Sequence, residues 1–372
     1  MASNRGIIMK TFNGLYSYFC LYENLLSAFK KARKHKSLRP YVIEFASNLK
    51  ENLLKLQEEL IKQTYKPKPL ETFTIRDPKT RKISKSDFRD RIVHHAVCNI
   101  IEPIFEKSFI YDSYANRIGK GTRKAVERLD YFKKKVSKNN TKKCFALKAD
   151  IMHYFDTMDH KILIEILNKK LNGDKLIAVI KSILENYKVK HEEKGMPLGN
   201  LTSQFFANVY LNELDYFIKY ELRTKYYIRY VDDFIILHDS KEQLSCYKNH
   251  INAFLKNKLS LKMHPDKTKI FSIYQGIAFL GLRIYAHHKL LKKSNIKKFN
   301  KRLKKLSAQY NSKDFGYDKI YGFLEGWIEY SKQSNSFKLR SKLLKPFEKM
   351  ILSELSAKEL NKYLKIKDAF KV

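Results

Sequence analysis

The N-terminal part of the chain carries a spacing of apolar residues that is typical of amphipathic helices. Apolar residues recur every three or four positions, so they share one face of a helix with about 3.6 residues per turn. The residues on this face are Leu49, Leu53, Leu56, Leu60 and Ile61. Glycine and proline, which end or kink helices, are scarce before Pro67. The pattern predicts a largely helical extension over residues 1–66.

The pattern changes between Pro67 and Ile83, where Phe73 and Ile75 alternate with polar neighbours. Alternation with a period of two residues is typical of a half-buried strand. Asp77-Pro78-Lys79 interrupts the segment with residues that favour turns, so the whole predicts a β-hairpin. A helix and then a basic, glycine-containing loop are predicted after the hairpin, at Arg91–Phe105 and Tyr111–Thr122.

The middle third of the chain alternates between apolar runs of strand length and helical patterns. Three runs predict strands, namely Cys144–Ile151, Tyr226–Tyr230 and Phe234–Leu237. Two helical patterns lie between these strands. The first runs from Ile162 to Leu171 and ends at Asn172-Gly173, and the second begins near Thr202 or Ser203. A third follows the last strand and begins with a capping box formed by Ser240 and Gln243. This mixture predicts an α+β fold, in which helices pack against a sheet.

Basic residues dominate the charge of the chain. Its 372 residues include 75 Lys and Arg but only 38 Asp and Glu, for a formal net charge of +37. Such an excess repels itself unless a polyanion neutralises it, so nucleic acid is the first partner to expect and an anionic membrane surface the second. The 24 Tyr and 24 Phe suit base stacking beside phosphate contacts, although core packing accounts for most rings in ordinary proteins.

One segment concentrates this charge, because residues 289–305 contain nine Lys or Arg and no acid. We interpret it as a helix that binds a nucleic-acid duplex, and the alternative is a solvated helix face. The lysines expected to contact nucleic acid are Lys292, Lys293, Lys297 and Lys298.

The cysteines and the apolar runs indicate a protein of a reducing, aqueous compartment. The four cysteines form no CxxC pair, which argues against a disulfide framework or a zinc module. No apolar run approaches the roughly 18 residues that a membrane span needs, and the N-terminus lacks a signal-peptide core. With 44% hydrophobic residues, the chain is expected to form one large unit or two to three packed subdomains in the cytoplasm, without a membrane partner.

Two adjacent carboxylates, Asp232 and Asp233, lie between two strand-forming runs and are expected at the tip of a hairpin. Like charges held together repel, and a divalent cation relieves that repulsion. A third carboxylate, Asp150, ends another apolar strand. Three aspartates suit two Mg²⁺ ions that activate an attacking hydroxyl and stabilise a leaving pyrophosphate. Taken singly, each has an ordinary alternative: a turn for Asp232-Asp233 and a helix cap for Asp150.

Four motifs that contain or follow these aspartates resemble those of reverse transcriptases. Residues 149–156 are similar to the first palm motif, Tyr230-Val231-Asp232-Asp233 to the YxDD box, residues 261–270 to the motif after it, and Phe279-Leu280-Gly281-Leu282 to the primer grip. The resemblance implies a right-hand polymerase. Its predicted domains are the N-terminal extension 1–66, fingers and palm 67–284, and a basic helical thumb 285–372.

Residues 195–204 narrow the resemblance to a subgroup. Most reverse transcriptases have Gln where Leu198 stands and Pro where Gln204 stands. The pattern here is similar to that of the enzymes of diversity-generating retroelements, as are Asp112–Thr122 and the hairpin residues Asp77 to Arg81. Group II intron and retron enzymes share several of these pieces, so they remain the alternative.

The resemblance implies a role for each motif residue. The metal site would be formed by Asp150, Asp232 and Asp233 with the adjoining Ile151, for two Mg²⁺ ions or Mn²⁺ as a substitute. Phe155 would exclude the 2′-hydroxyl of a ribonucleotide, and Leu198 in place of Gln would permit misincorporation opposite template adenine. Other nucleotide contacts are expected at Arg76, Arg81, Gly199, Ser203 and Gln204. Other nucleic-acid contacts are expected at Arg117, Lys120 and Lys267.

The function implied is an RNA-templated DNA polymerase that makes adenine-mutagenised cDNA. Its partners would be a template RNA, a cDNA or primer strand, dNTPs and a small basic helical accessory protein. One alternative is a group II intron-like, retron or phage-defence reverse transcriptase. A non-enzymatic alternative is an RNA-binding scaffold, which a broken set of aspartates would indicate.

Overall fold

The computed structural model describes residues 11–76, 80–187, 193–312, 316–343 and Lys358. Its helices are α1 Leu15–Phe19, α2 Tyr22–Ala32, α3 Pro40–Ser47, α4 Leu49–Ile61, α5 Phe88–Glu106, α6 Thr122–Val136, α7 Tyr154–Thr157, α8 His160–Asn168, α9 Asp174–Glu185, α10 Leu201–Tyr216, α11 Lys241–Leu259, α12 Lys293–Asn311 and α13 Tyr317–Ser331. Its strands are β1 Glu71–Ile75, β2 Arg81–Lys85, β3 Phe145–Asp150, β4 Tyr226–Tyr230, β5 Asp233–His238, β6 Lys269–Ser272, β7 Ile277–Phe279, β8 Leu282–Ile284 and β9 Lys289–Leu291.

The N-terminal extension is helical over its described part, as predicted. Helices α1 to α4 follow one another, and Leu53, Leu56 and Leu60 of α4 are completely or almost completely buried. Ile61 departs from the expected face, because 57% of its surface is exposed at the last residue of α4.

The strands form three sheets. Strands β1 and β2 pair antiparallel, with Ile75 opposite Arg81, so the predicted hairpin is present and its expected turn at residues 77–79 lies outside the described residues. A four-stranded sheet has the order β4-β5-β3-β6. A three-stranded antiparallel sheet has the order β7-β8-β9. Helices and sheets together confirm the predicted α+β class.

The predicted elements differ from the structure in three places. The helix expected to run to Leu171 ends at Asn168, and Leu171 instead forms a bridge with Phe12. Helix α9 was not predicted, although six of its apolar residues are buried. The basic segment 289–305 begins as a strand, β9, because pairing with β8 satisfies its backbone, and its helix starts only at Lys293.

The chain divides into two compact units. The first comprises the described residues of 1–121, 147–236 and 242–269, and the second comprises those of 122–146, 237–241 and 270–372. In the first unit α5 packs against α2 and α10. In the second unit α12 and α13 meet through stacked rings, with the centroids of Phe299 and Trp327 3.8 Å apart. No helix in the described part of the chain is long and apolar enough to span a membrane.

Candidate active site

The three predicted carboxylates lie at the ends of neighbouring strands in the first unit. Asp150 is the last residue of β3, Asp233 is the first residue of β5, and Asp232 lies in the turn between β4 and β5. The N–H of Ile151 donates to the carbonyl of Asp232 at 3.3 Å, which joins the two chain segments at this point. The N–H of His264 donates to the carbonyl of Asp150 at 2.7 Å. The backbone therefore brings the two parts of the predicted metal site together.

The protein opposes ionisation of two of these carboxylates. Burial raises the pKa of Asp233 to about 6, against the opposing effect of the nearby Lys148 ammonium. Burial and then the charge of Asp150 raise the pKa of Asp232, while Lys267 and Arg81 lower it. Removing the carboxylates from water and placing them near one another both disfavour the charged forms. A cation at this place would relieve both effects.

Lysine side chains contact two of the carboxylates. Nζ of Lys267 donates to Oδ1 of Asp150 at 2.8 Å, and Nζ of Lys148 donates to Oδ2 of Asp233 at 3.1 Å. The other carboxylate oxygen of Asp233 is buried and has no hydrogen-bond partner. Among the residues that the structure describes, no three His, Cys, Asp or Glu side chains form a metal-binding group as they stand. The unpartnered oxygen and the raised pKa values fit a site for a cation.

Lys148 is a member of this site that the sequence interpretation missed. It stands two residues before Asp150 on β3, and side chains two apart in a strand share one face, which was the available signal. Lys267 was predicted to contact nucleic acid. In the structure its ammonium is bonded to Asp150, so its observed contact belongs to the carboxylate cluster.

Phe155 adjoins the motif segment 195–200. Its carbonyl accepts from the N–H of Met196 at 2.6 Å, and its ring lies 5.5 Å from that of Tyr154. The N–H of Gly195 donates to Met158 at 2.8 Å, which fixes the start of the same segment. The ring of Phe155 is half-buried. These contacts bring together two motifs, 149–156 and 195–204, that are separate in the sequence.

The other end of this segment is attached to strand β2. The carbonyl of Leu198 accepts from the N–H of Ser84, and Oδ1 of the buried Asn200 accepts from the N–H of Ser86, both at 3.3 Å. Gly199 has a φ of +112°, and a Cβ there would lie 3.0 Å from Cγ2 of Ile83. Asn200 was missed because nothing in its local pattern shows a partner 114 residues away.

The remaining predicted nucleotide contacts differ in exposure. Arg76 and Arg81 are exposed, and the charge of Arg81 helps to lower the pKa of Asp232, so Arg81 is near the carboxylates. Ser203 is buried and Gln204 is exposed in the first turn of α10. Their roles stay predictions.

The predicted nucleic-acid contacts also differ in their surroundings. The Arg117 guanidinium is almost completely buried and donates to Glu106 and to the carbonyls of Ile110 and Ser113, contacts that give it a structural role. Nζ of Lys120 lies 3.3 Å from the ring centroid of Tyr111. The exposed lysines of the second unit are Lys292, Lys293, Lys297 and Lys298. For all of these, binding of nucleic acid stays a prediction.

A protein-family model described as reverse transcriptase (RNA-dependent DNA polymerase) matches residues 66–284. This match covers more than half of the chain, so the chain belongs to the reverse transcriptase family. The predicted enzyme class, an RNA-directed DNA polymerase with a right-hand polymerase fold, is thereby confirmed.

Several known proteins are similar in sequence. Protein YkfC of Escherichia coli K12 is 24% identical over 268 residues, which cover 62% of this chain and 70% of that protein. The group II intron-encoded protein LtrA of Lactococcus lactis subsp. cremoris is 25% identical over 339 residues, which cover 72% of this chain and 54% of LtrA. The putative COX1/OXI3 intron 2 protein of Saccharomyces cerevisiae is 23% identical, and the match covers 62% of this chain and 33% of that protein. The chain thus spans about half or less of these intron-encoded relatives.

Two solved telomerase structures have a partly similar backbone. Apo telomerase from Candida tropicalis has a TM-score of 0.48 at 13% identity, over 84% of this chain and 73% of that chain. Telomerase from Candida albicans in complex with a TWJ fragment of telomeric RNA has a TM-score of 0.43 at 12% identity, over 84% and 67%. At these scores the likeness carries no weight for function.

Proposed function

We propose that this chain is the polymerase of a diversity-generating retroelement, which copies a template RNA into cDNA with errors at template adenines. The observation that carries the proposal is the segment around Leu198. Its backbone is held between the Phe155 region and strand β2, and an aliphatic side chain stands where most of the family has Gln. An aliphatic side chain offers no hydrogen bond, so the nascent pair loses one polar contact that would favour correct pairing.

The chemistry proposed for the site is nucleotidyl transfer. Asp150, Asp232 and Asp233 would hold Mg²⁺ or Mn²⁺, because carboxylate oxygens suit these ions and one oxygen of Asp233 is unpartnered. When bound, two such ions would lower the pKa of the primer hydroxyl and neutralise the leaving pyrophosphate. Lys148 and Lys267 would then exchange their carboxylate contacts for others, such as substrate phosphates.

Selection of the nucleotide would fall to residues around the same segment. The half-buried ring of Phe155 would exclude a 2′-hydroxyl by volume. Arg81, exposed and electrostatically coupled to Asp232, would pair with the triphosphate, since guanidinium groups suit phosphate oxygens. Arg76 would act in the same way from the end of β1.

Sequencing of cDNA tests the proposal directly. The purified chain would extend a DNA primer on an RNA template that contains all four bases, with and without a small basic helical accessory protein. The proposal expects errors opposite template adenine to exceed those opposite the other three bases. Equal error frequencies at all four bases would contradict it.

A group II intron-like reverse transcriptase is the second candidate, and the similarity to LtrA favours it. Retron and phage-defence enzymes belong with this candidate. It expects faithful extension at adenine in the same assay. A non-enzymatic RNA-binding scaffold would bind the template and extend nothing, and the complete set of three aspartates argues against it.

A further inference from the structure

A buried ion pair lies next to the turn that carries Asp232. Arg229 of β4 and Asp215 of α10 have no exposed surface. Nε and Nη2 of Arg229 donate to the two oxygens of Asp215 at 2.7 and 2.5 Å, and the hydroxyl of Tyr227 donates to Oδ1 of Asp215 at 2.6 Å. Removing two charges from water costs about as much free energy as their attraction returns. Stability alone therefore gives little reason for this pair.

The third nitrogen of the guanidinium reaches the turn itself. Nη1 of Arg229 donates to the carbonyl of Val231 at 3.0 Å and to Oδ1 of Asn208 at 3.2 Å. The amide of Asn208 in turn donates to the carbonyl of Ala115 at 2.8 Å. One planar group thus connects α10 with the residue that precedes Asp232, and its orientation is fixed by the fork to Asp215.

Val231 has a conformation that a β-branched residue rarely adopts. Its φ is +56°, in the left-handed region where the Cβ of an L-residue crowds the backbone. Such a conformation persists only where the surroundings hold it. The next residue, Asp232, is fixed on its far side by the N–H of Ile151.

We infer that Arg229 is a positioning residue. It holds Val231 in the left-handed conformation and thereby sets the positions of Asp232 and Asp233, while Asp215 orients Arg229. The inference rests on the polymerase activity proposed above. Without the hydrogen bond from Arg229 to its carbonyl, Val231 relaxes toward the right-handed or extended regions. The two carboxylates then leave the place that nucleotidyl transfer needs, although the fold around them remains.

Arg229→Lys is the first test. A lysine keeps a charge near Asp215, but its three donors share one nitrogen, so it does not span the carboxylate and the Val231 carbonyl together as the guanidinium fork does. We expect kcat for single-nucleotide extension, per active molecule from a burst titration, to fall by at least about tenfold. KM for the dNTP should stay within about threefold, because the nucleotide contacts are elsewhere.

A double substitution covers the case in which Arg229→Lys does not fold. Arg229→Gln with Asp215→Asn removes both charges together, and replacing both partners of a buried pair is often nearly neutral for stability. The two amides can still bond to each other, but the fork that reaches Val231 is gone. The same fall in kcat is expected.

Replacing Val231 with glycine distinguishes a positioning role of Arg229 from a merely structural one. Gly adopts the left-handed region without strain, whereas Ala retains the Cβ that opposes it. Adding Val231→Gly to either variant should restore kcat by about threefold or more, and adding Val231→Ala should restore little. Tyr227→Phe is the matched control, since it removes a bond to Asp215 but none to Val231. It should lower Tm without lowering kcat per active molecule.

The inference is overturned if both Arg229 variants keep the wild-type kcat per active molecule. It is also overturned if Gly and Ala at position 231 rescue equally, because Arg229 would then be only a structural support. A wild-type chain that extends no primer would instead contradict the proposed polymerase activity, which is a separate outcome.

Discussion

Asp233 is a half-buried carboxylate with one buried, unpartnered oxygen, and this makes its ionisation a measurable property of the metal-free protein. Its pKa is raised to about 6 by burial, against the effect of Lys148. Between the ordinary carboxyl range and pH 6 the folded protein therefore binds a proton that the unfolded chain has released. Through this residue, stability without metal falls as the pH rises through about 6.

We predict that Asp233→Asn abolishes primer extension in Mg²⁺ and stabilises the metal-free protein at neutral pH. The amide cannot serve as an anionic ligand, and it carries no charge to be desolvated. In EDTA, the Tm of the variant should exceed that of wild type by an amount that grows from pH 5 to pH 7. The corresponding gain in the free energy of unfolding has an upper bound of about 3 kcal/mol.

Glu185→Gln, an exposed substitution on α9, is the control for the general effect of losing one negative charge. Parallel pH curves for wild type and Asp233→Asn would show that Asp233 is not the titrating group. Extension by Asp233→Asn at the wild-type rate would contradict its place in the metal site.

Phe155→Ala is predicted to admit ribonucleotides. Removing the ring opens volume where a 2′-hydroxyl would lie, while the backbone bond from Met196 to residue 155 is unaffected. Discrimination between dATP and ATP, measured as the ratio of their kcat/KM values, should fall by at least about tenfold. Phe155→Leu, which retains more volume, should give a smaller change. Equal loss of activity on both nucleotides would indicate that the ring is core support.

At the scale of elements, the strands that carry or flank the carboxylates, and the carboxylates themselves, were accessible from the sequence because their signals are local. Apart from Arg229, the runs Tyr226–Tyr230 and Phe234–Leu237 consist of aromatic, β-branched or other apolar residues, and the structure places β4 and β5 over them. Asp150 was located by the end of an apolar run in the same way. A periodic pattern reports which face of an element is buried, and these elements are buried as their patterns require.

The missed features depend on partners that are distant in sequence. Strand β9 is the start of a lysine-rich segment, and it forms because β8 offers it hydrogen bonds. Asn200 acquires its role from Ser86, the residue after β2, and the Arg229 cluster from α10. The resemblance to reverse transcriptases identifies the motif that contains Asn200. No local pattern, however, shows that the Asn200 side chain accepts a hydrogen bond from the N–H of Ser86. Pairing of this kind is decided by tertiary structure.

Leu198→Gln is the prediction that belongs to the segment between Phe155 and β2. The change nearly conserves volume, and the backbone of residue 198 is held by the N–H of Ser84, so the segment should keep its place. A Gln side chain there would restore a polar contact beside the nascent pair and lower errors opposite template adenine several-fold, since one hydrogen bond contributes about 0.5–1.5 kcal/mol.

The measurement is the error frequency opposite each template base in sequenced cDNA. Leu198→Met is the matched control, because it changes the shape of the side chain without adding a hydrogen-bonding amide. A selective fall at adenine for Gln alone supports the proposed subgroup. An equal fall at all four bases would mean a general effect on fidelity, and no change would leave Leu198 as a packing residue.

At the scale of the whole molecule, the net charge of +37 makes binding of nucleic acid depend on salt. The total charge does not identify the basic residues that contact the phosphates. The exposed lysines 292, 293, 297 and 298 lie at and just inside the start of α12, on the second unit. They belong to the segment 289–305, which contains no acidic residue.

We predict that replacing these four lysines with Gln lowers the salt dependence of binding to an RNA–DNA duplex. Each phosphate contact adds about 0.7–0.9 to the slope of log K against log salt concentration, so the slope should fall by up to about 3. The control replaces four other exposed lysines, Lys50, Lys55, Lys256 and Lys258, and also lowers the net charge from +37 by four to +33. If α12 contacts the duplex, the first variant loses more slope than the control, because released counterions report contacts and not total charge. Equal slopes in the two variants would mean that the lysines of α12 form a solvated face and that the duplex is bound elsewhere.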